Sequence, residues 1–154
     1  MNIQFITWPR SGRNVILDCI GNAGNNYHIK REYIVKDTDE YTIGAWHDLS
    51  GNLKINPAQN YVIMYRNPIR AITSQYTLIS HPSKIHLGKE RKTELDWYEF
   101  LRDPKWGLPS WIRWMDKWVA YGYKHKNCLL LKYETLIKFP SIYLYALSEF
   151  CQAN

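Results

Sequence analysis

Thr7-Trp8-Pro9-Arg10-Ser11-Gly12-Arg13-Asn14 lies between an apolar run, Ile3, Phe5 and Ile6, and a stretch in which Val15, Ile16, Cys19 and Ile20 recur at the spacing of one helix face. Pro9 and Gly12 punctuate a tight turn between the two. The order strand, tight loop, helix brings several backbone N–H groups and the positive end of a helix dipole to one point, where an anion is stabilised. Arg10 and Arg13 add side-chain charge there, so the stretch reads as a phosphate cradle. It lacks the Gly-x-x-x-x-Gly-Lys-Ser/Thr spacing of a Walker A loop, which disfavours an ordinary Mg-dependent ATP or GTP site.

After the first helical stretch, Gly21-Asn22-Ala23-Gly24-Asn25-Asn26 is a stop signal. Residues 27–40 are mixed and charged without a clear period, which predicts an irregular or partly helical surface connection in which His28 is solvated. Residues 42–46 read as a short strand running into His47-Asp48, and a histidine at the C-terminal end of a strand stands where open α/β sheets bind ligands. Residues 49–60, with Ser50-Gly51-Asn52 and Pro57, read as a loop. Tyr61-Val62-Ile63-Met64-Tyr65 is the clearest buried strand and is expected in the middle of a parallel sheet. Arg66-Asn67-Pro68 follows at once. Pro68 suits a first helical turn, and Ile69, Ile72, Tyr76 and Ile79 continue along one helix face. Arg66 and Ser74 thus stand eight residues apart across a strand-to-helix turn.

Residues 80–93 are basic and turn-rich, with His81, Lys84, His86, Lys89, Arg91 and Lys92, and read either as a solvated face or as a substrate-gripping lid. Residues 94–101 predict a short helix. Ser110 is positioned to cap a helix in which Trp111, Trp114, Trp118 and Tyr121 share a face, an aromatic stripe read as core. Arg113, Lys117 and Lys124 fall off that stripe and are expected to face solvent. Cys128-Leu129-Leu130-Leu131 is a further buried strand leading into Lys132-Tyr133-Glu134-Thr135-Leu136. Phe139-Pro140 then precedes a helical run with Leu144, Leu147, Phe150 and Cys151.

With 154 residues, the chain is long enough for one domain with a real core, expected to span 1–154. Its 45% hydrophobic content with 22% charged residues makes it globular rather than disordered. A formal charge of +6 favours anionic partners without choosing among nucleic acid, a membrane surface and a polyanionic small ligand. Three widely separated cysteines, Cys19, Cys128 and Cys151, argue against a disulfide framework and a zinc site, and for reduced thiols in a cytoplasmic protein. The first strand begins at residue 2 or 3, so no signal peptide is expected, and no apolar run approaches the roughly 18 residues of a membrane span.

Three landmarks resemble the sulfotransferase family. Pro9-Arg10-Ser11-Gly12 is similar to that family's 5′-phosphosulfate loop, written P-[KR]-S-G. The strand 61–65, Arg66, a short turn and a helix carrying Ser74 resemble the segment that holds the nucleotide's 3′-phosphate. The apolar strand ending in Tyr133-Glu134-Thr135-Leu136 resembles the third landmark. The resemblance implies a three-layer, P-loop-like α/β domain with a central parallel sheet flanked by helices. It also implies sulfuryl transfer from 3′-phosphoadenosine-5′-phosphosulfate to a hydroxyl or amine, without a metal, leaving 3′,5′-adenosine bisphosphate. Arg10, Ser11, Gly12, Arg13, Asn14, Arg66, Ser74 and Tyr133 are then expected to bind the nucleotide, with Trp8 a further candidate near the adenine.

Cytosolic members carry a catalytic histidine in a Lys-Thr-His type motif at a strand end, about where Ala45-Trp46-His47 lies. His47 is therefore the expected base, with Asp48 and the family's alternative of a catalytic glutamate as competitors, and Arg10 the expected stabiliser of charge on the leaving phosphate; an imidazole, with a reference pKa of ~6.5, accepts a proton near neutral pH. Two departures stand out: Ala45 replaces the motif's lysine, and the Gly-x-x-Gly-x-Trp-Lys segment of many cytosolic members is absent from the sequence. The 3′-phosphate is then expected to rest on Arg66 and Ser74, aided by the basic residues of 84–92. The expected partners are the nucleotide donor and a small-molecule or glycan acceptor, with no stable nucleic acid and no membrane span; oligomeric state is left open. Charge and aromatic content also fit a second reading, a non-catalytic nucleotide or nucleic-acid binding module.

Overall fold

The computed structural model describes residues 2–22, 28–30, 42–80 and 95–153. Five strands, β1 (Asn2–Thr7), β2 (His28–Lys30), β3 (Thr42–Trp46), β4 (Asn60–Tyr65) and β5 (Cys128–Lys132), pair in the order β2-β3-β1-β4-β5, every neighbour parallel. Period-two alternation divides their side chains between two cores. Ile3, Phe5, Val62, Met64 and Leu131 face one side, where they meet Ile16, Leu17, Leu136 and Leu147. These come from α1 (Arg13–Asn22), α6 (Tyr133–Lys138) and α7 (Pro140–Ala153). Ile6, Tyr61 and Ile63 face the other side and pack on Ala71, Trp114, Trp118 and Val119.

That second layer is made by α2 (Pro68–Ser80), α4 (Leu108–Trp114), a π-helical turn (Met115–Val119) and α5 (Ala120–Lys124). Below it, Ile72, Ile79 and Phe100 join α2 to α3 (Trp97–Arg102). The result is the expected three-layer α/β architecture, with the parallel sheet covered on both faces by helices. Strand 61–65 is the buried strand the sequence predicts: residues Tyr61 through Met64 are at most 1% exposed, between β1 and β5. Trp114 and Trp118 are core, as the aromatic stripe implies.

Several boundaries differ from expectation. Residues His28–Lys30, expected in an irregular connection, pair with β3 as an edge strand. The short helix begins at Trp97 rather than 94, because Asp96 caps it: its carboxylate accepts from the Glu99 N–H (2.8 Å) while Glu99 accepts from the Asp96 N–H (3.0 Å), a reciprocal capping box. Ser110 is not a cap. Gly107 takes that position, Pro109 fits the first turn, and the buried Ser110 hydroxyl instead donates to the Leu49 carbonyl (3.0 Å). Strand β5 lies at the sheet's edge, so Cys128, Leu129 and Leu130 are half-buried, Leu131 is buried and Lys132 is exposed. The basic segment 81–93 lies outside the described residues.

Candidate active site

Because all five strands are parallel, the segments following β1, β3, β4 and β5 emerge at one carboxyl edge. The segment after β1 closes with the Ser11 N–H on the Trp8 carbonyl (3.2 Å). Arg10 (φ 64°) and Gly12 (φ 88°) are both left-handed. This is the backbone form that turns successive N–H groups toward one concavity, here at the N-terminus of α1. Glycine is required at position 12 twice over: for the positive φ, and because a Cβ there would lie 2.5 Å from Cδ2 and Cε2 of Tyr133. For Arg10 the same conformation costs on the order of 1–3 kcal/mol.

The segment after β4 holds the strained residue in place. Arg66 donates through NH1 to the Arg10 carbonyl (2.9 Å), and Arg10 donates through Nε to Ser74 Oγ (3.0 Å). The two stretches singled out by sequence are thus bonded to each other. Asn67 caps α2, its Oδ1 accepting from the Arg70 N–H (3.2 Å), and its own N–H donates to Glu134 Oε1 (2.9 Å). Glu134 in turn follows Tyr133, whose ring lies under the Arg66 guanidinium at 4.4 Å. The third landmark therefore supports the second by one hydrogen bond and one cation–π contact.

Ser11 and Arg66 each bury a polar donor that has no protein partner. Ser11 is 1% exposed and its Oγ makes no hydrogen bond, and Arg66 Nε likewise has none. Buried donors without partners are rare, and both suit an anionic oxygen.

Register explains the position of His47. Ile6 pairs with Trp46, so the next residues, Thr7 and His47, stand side by side where the strands end. The imidazole Nδ1 lies 2.9 Å from the Thr7 carbonyl oxygen and 3.0 Å from Thr7 Oγ1. A carbonyl can only accept, so Nδ1 carries the hydrogen and the neutral ring keeps its lone pair on Nε2.

The neighbouring Asp48 has a different part. It is 7% exposed, and its Oδ2 accepts from Lys117 Nζ (2.6 Å) and Trp118 Nε1 (2.9 Å) while Oδ1 accepts from the Leu53 N–H (3.1 Å). Lys117, expected to face solvent, instead also donates to the carbonyls of Gly51 and Leu53. The π-helical turn makes this possible: i→i+5 bonding turns fewer degrees per residue than an α-helix, so adjacent residues 117 and 118 converge on one oxygen.

A cleft of about 550 Å³ at this edge is lined by Arg10, Gly12, Arg13, Asn14, His47, Arg66 and Tyr133. Of the other predicted site residues, Ser11 lies buried in the loop and Ser74 is joined to Arg10. Trp8 does not reach the cleft. It is fully buried against Trp114, ring centroids 6.4 Å apart, because the strand direction continues past Thr7 and carries its side chain into the core. The sequence reading missed Gln75, Leu49 and Trp106, which also line the cleft. Gln75 sits next to Ser74 and is 5% exposed, a buried polar residue that only the structure reveals.

Cys128 and Cys151 are free thiols. Among the described residues no three His, Cys, Asp or Glu side chains group as a metal site requires, and no helix is long and apolar enough to cross a membrane.

No protein-family model matches the sequence, and no curated protein matches it. Solved structures do. Mouse sulfotransferase SULT7A1 complexed with PAP superposes with a TM-score of 0.76 at 17% identity, over 99% of this chain and 58% of that protein's length. The chain thus spans little more than half of that protein. The likeness establishes the fold: this chain is built on the three-layer α/β architecture of a sulfotransferase.

Proposed function

We propose that the chain is a sulfotransferase that moves a sulfuryl group from 3′-phosphoadenosine-5′-phosphosulfate to a hydroxyl or amine of a small-molecule or glycan acceptor. The observation that carries this reading is the direct bonding of two cationic anchors, Arg66 to the Arg10 carbonyl and Arg10 to Ser74, on the edge of a cleft that His47 shares. A nucleotide with phosphates at both 5′ and 3′ positions needs two such anchors a fixed distance apart. The fold of a PAP-bound sulfotransferase supports the same reading.

The residues present fit the donor. Ser11 Oγ and Arg66 Nε are buried donors that anionic oxygens would satisfy, and the backbone at 10 to 12 has the form of an anion nest. Arg10, Ser11, Gly12, Arg13 and Asn14 would hold the 5′-phosphosulfate, Arg66 and Ser74 the 3′-phosphate, with Tyr133 packed beside them. When bound, the donor supplies sulfur whose bond to the 5′-phosphate oxygen breaks as the acceptor's oxygen or nitrogen bonds to it, leaving 3′,5′-adenosine bisphosphate (PAP).

The protein's part is binding, orientation and proton transfer. His47 accepts the acceptor's proton on Nε2, while its Nδ1–H, held by the Thr7 carbonyl, fixes the tautomer and the ring. Arg10 and the loop N–H groups stabilise charge on the leaving phosphate, a type of contribution worth on the order of 10²- to 10³-fold per donor. Metal ions have no assigned part in these steps.

Metal-free calorimetric titration with PAP tests the donor site. Wild-type protein should bind, and Arg66→Ala should raise the dissociation constant by roughly 10- to 100-fold, the loss of charge-assisted hydrogen bonds of about 1.5–3 kcal/mol. His47→Ala should bind PAP normally but transfer sulfate about 10²- to 10⁴-fold more slowly. Absence of PAP binding by the wild type removes the proposal. Binding without transfer to any acceptor supports a non-catalytic nucleotide-binding module instead.

A further inference from the structure

A second cavity of about 470 Å³ adjoins the cleft, and His47 and Leu49 line both. The rest of its wall is Ser50, Pro104, Lys105 and Arg113. Arg10 and Arg66, which line the first cleft, do not line this one. Any molecule seated there would share the imidazole with whatever occupies the first cleft.

The charge of this wall is one-sided. Among its described lining residues Lys105 and Arg113 are cationic and none is acidic. Neither cation has a carboxylate partner among the described residues, where the ion pair formed is Lys117 with Asp48. Two carboxylates are engaged by other groups: Asp48 by Lys117, Trp118 and the Leu53 N–H, and Asp103 by the N–H groups of Lys105 (2.8 Å) and Trp106 (2.7 Å). Arg113 donates to the Pro104 carbonyl, a bond that uses one of its five N–H donors and holds the guanidinium at the rim. Lys105 stands with its ammonium 5.2 Å from the Trp106 ring centroid.

The wall is also fixed before any ligand arrives. Asp103 folds the 103–106 turn back on itself, and a Cβ on Gly107 would strike the carbonyls of Leu101, Phe100 and Asp103, so the turn is packed tightly against the end of α3. Helix α4, which carries Arg113, is tied to the segment after His47 by the Ser110 bond to Leu49. A guanidinium held by the Pro104 carbonyl and a lysine carried on a tightly packed turn, both beside His47, suit one chemical class.

We infer that this second cavity is the acceptor site and that it takes a hydroxyl compound already bearing an anionic group, with Arg113 and Lys105 gripping the anion and the hydroxyl turned to His47. The inference rests on the sulfotransferase reading and adds the substrate's charge to it. A carboxylate, sulfate or phosphate on the acceptor all satisfy this chemistry, because each presents paired oxygens to a guanidinium fork.

The test uses two phenols that differ in charge, p-hydroxyphenylacetate and its neutral amide, titrated calorimetrically into protein saturated with PAP. The carboxylate should bind at least about tenfold more tightly than the amide at low salt, a preference that shrinks as sodium chloride is raised. In Lys105→Ala/Arg113→Ala the ratio of the two affinities should fall to within about twofold, with PAP affinity unchanged; Arg113→Lys should keep part of the preference. Equal or tighter binding of the amide, binding of neither compound, or a preference that survives in the double variant overturns the inference. Failure of PAP itself to bind removes the donor site instead, and the same two phenols titrated into the ligand-free protein then still decide the anion-binding cavity.

Discussion

The segments after β1 and after β3 end side by side at the carboxyl edge, and they treat buried polar groups in opposite ways. After β1, Ser11 Oγ is buried with no partner, Arg10 is held left-handed, and the Arg66 guanidinium that braces it has Nε without an acceptor. After β3, the Asp48 carboxylate receives three hydrogen bonds and Lys117 gives three. A fully satisfied network rigidifies a wall, whereas one with spare donors is costly in the folded protein and keeps its capacity for a ligand. The first region is therefore expected to govern binding and the second stability.

Lys117→Ala separates the two most strongly. It leaves a carboxylate almost out of water with no counter-charge, a loss of about 3 kcal/mol, taken at the low end of the usual range because the Lys117 side chain is 21% exposed. Thermal unfolding should shift down by roughly 6–12 °C for a domain of this size. A melting temperature unchanged by Lys117→Ala would break the division between the regions.

Ser11→Ala is the converse. It deletes a hydroxyl that bonds to nothing in the protein, so thermal stability should stay within about 0.5 kcal/mol or rise slightly, while the dissociation constant for PAP increases on the order of tenfold. A variant that loses stability but not affinity would place Ser11 with Asp48 instead.

The smallest effect is common to both variants. Burial raises the Cys128 thiol from its ordinary 9.0 to about 11, and raises Cys151, Tyr61 and Tyr65 as well. These groups keep their protons in the folded chain at a pH where the unfolded chain releases them. The folded state then binds more protons, and stability falls as pH rises through the interval from about 9 to 11. Wild type, Ser11→Ala and Lys117→Ala should lose stability in parallel over that range in denaturant titrations, since the responsible groups lie in the core rather than in either loop. Cys128→Ala should flatten the decline.

What was legible in the sequence was local. Pro9 and Gly12 between an apolar run and a helical period fix a strand-loop-helix unit, and the spacing of Arg66 and Ser74 survives folding because a strand end and a helix start leave little freedom between them. Parallel pairing of β1 and β3 then accounts for His47, whose position at a strand end was readable although its bond to Thr7 was not. The misses were long-range. Lys117 looked solvent-facing because its partner lies 69 residues away, and Ser110 looked like a cap because its true acceptor, the Leu49 carbonyl, lies 61 away. His28–Lys30 has too few residues to show alternation and is a strand only through pairing with β3. Arg113 is exposed, as expected, but nothing in the sequence joins it to Lys105: only the fold brings the two cations to one wall.

The π-helical turn at Met115–Val119 carries an implication for how the chain can vary. Such a turn is a helix with one residue too many, and it is what lets Lys117 and Trp118 reach the same oxygen of Asp48. Excising a residue would restore the ordinary helix, in which adjacent side chains stand about 100° apart and no longer converge on one oxygen. Side chains facing solvent in this segment are free to drift, but its length is not: here a deletion would be felt where a substitution would pass unnoticed.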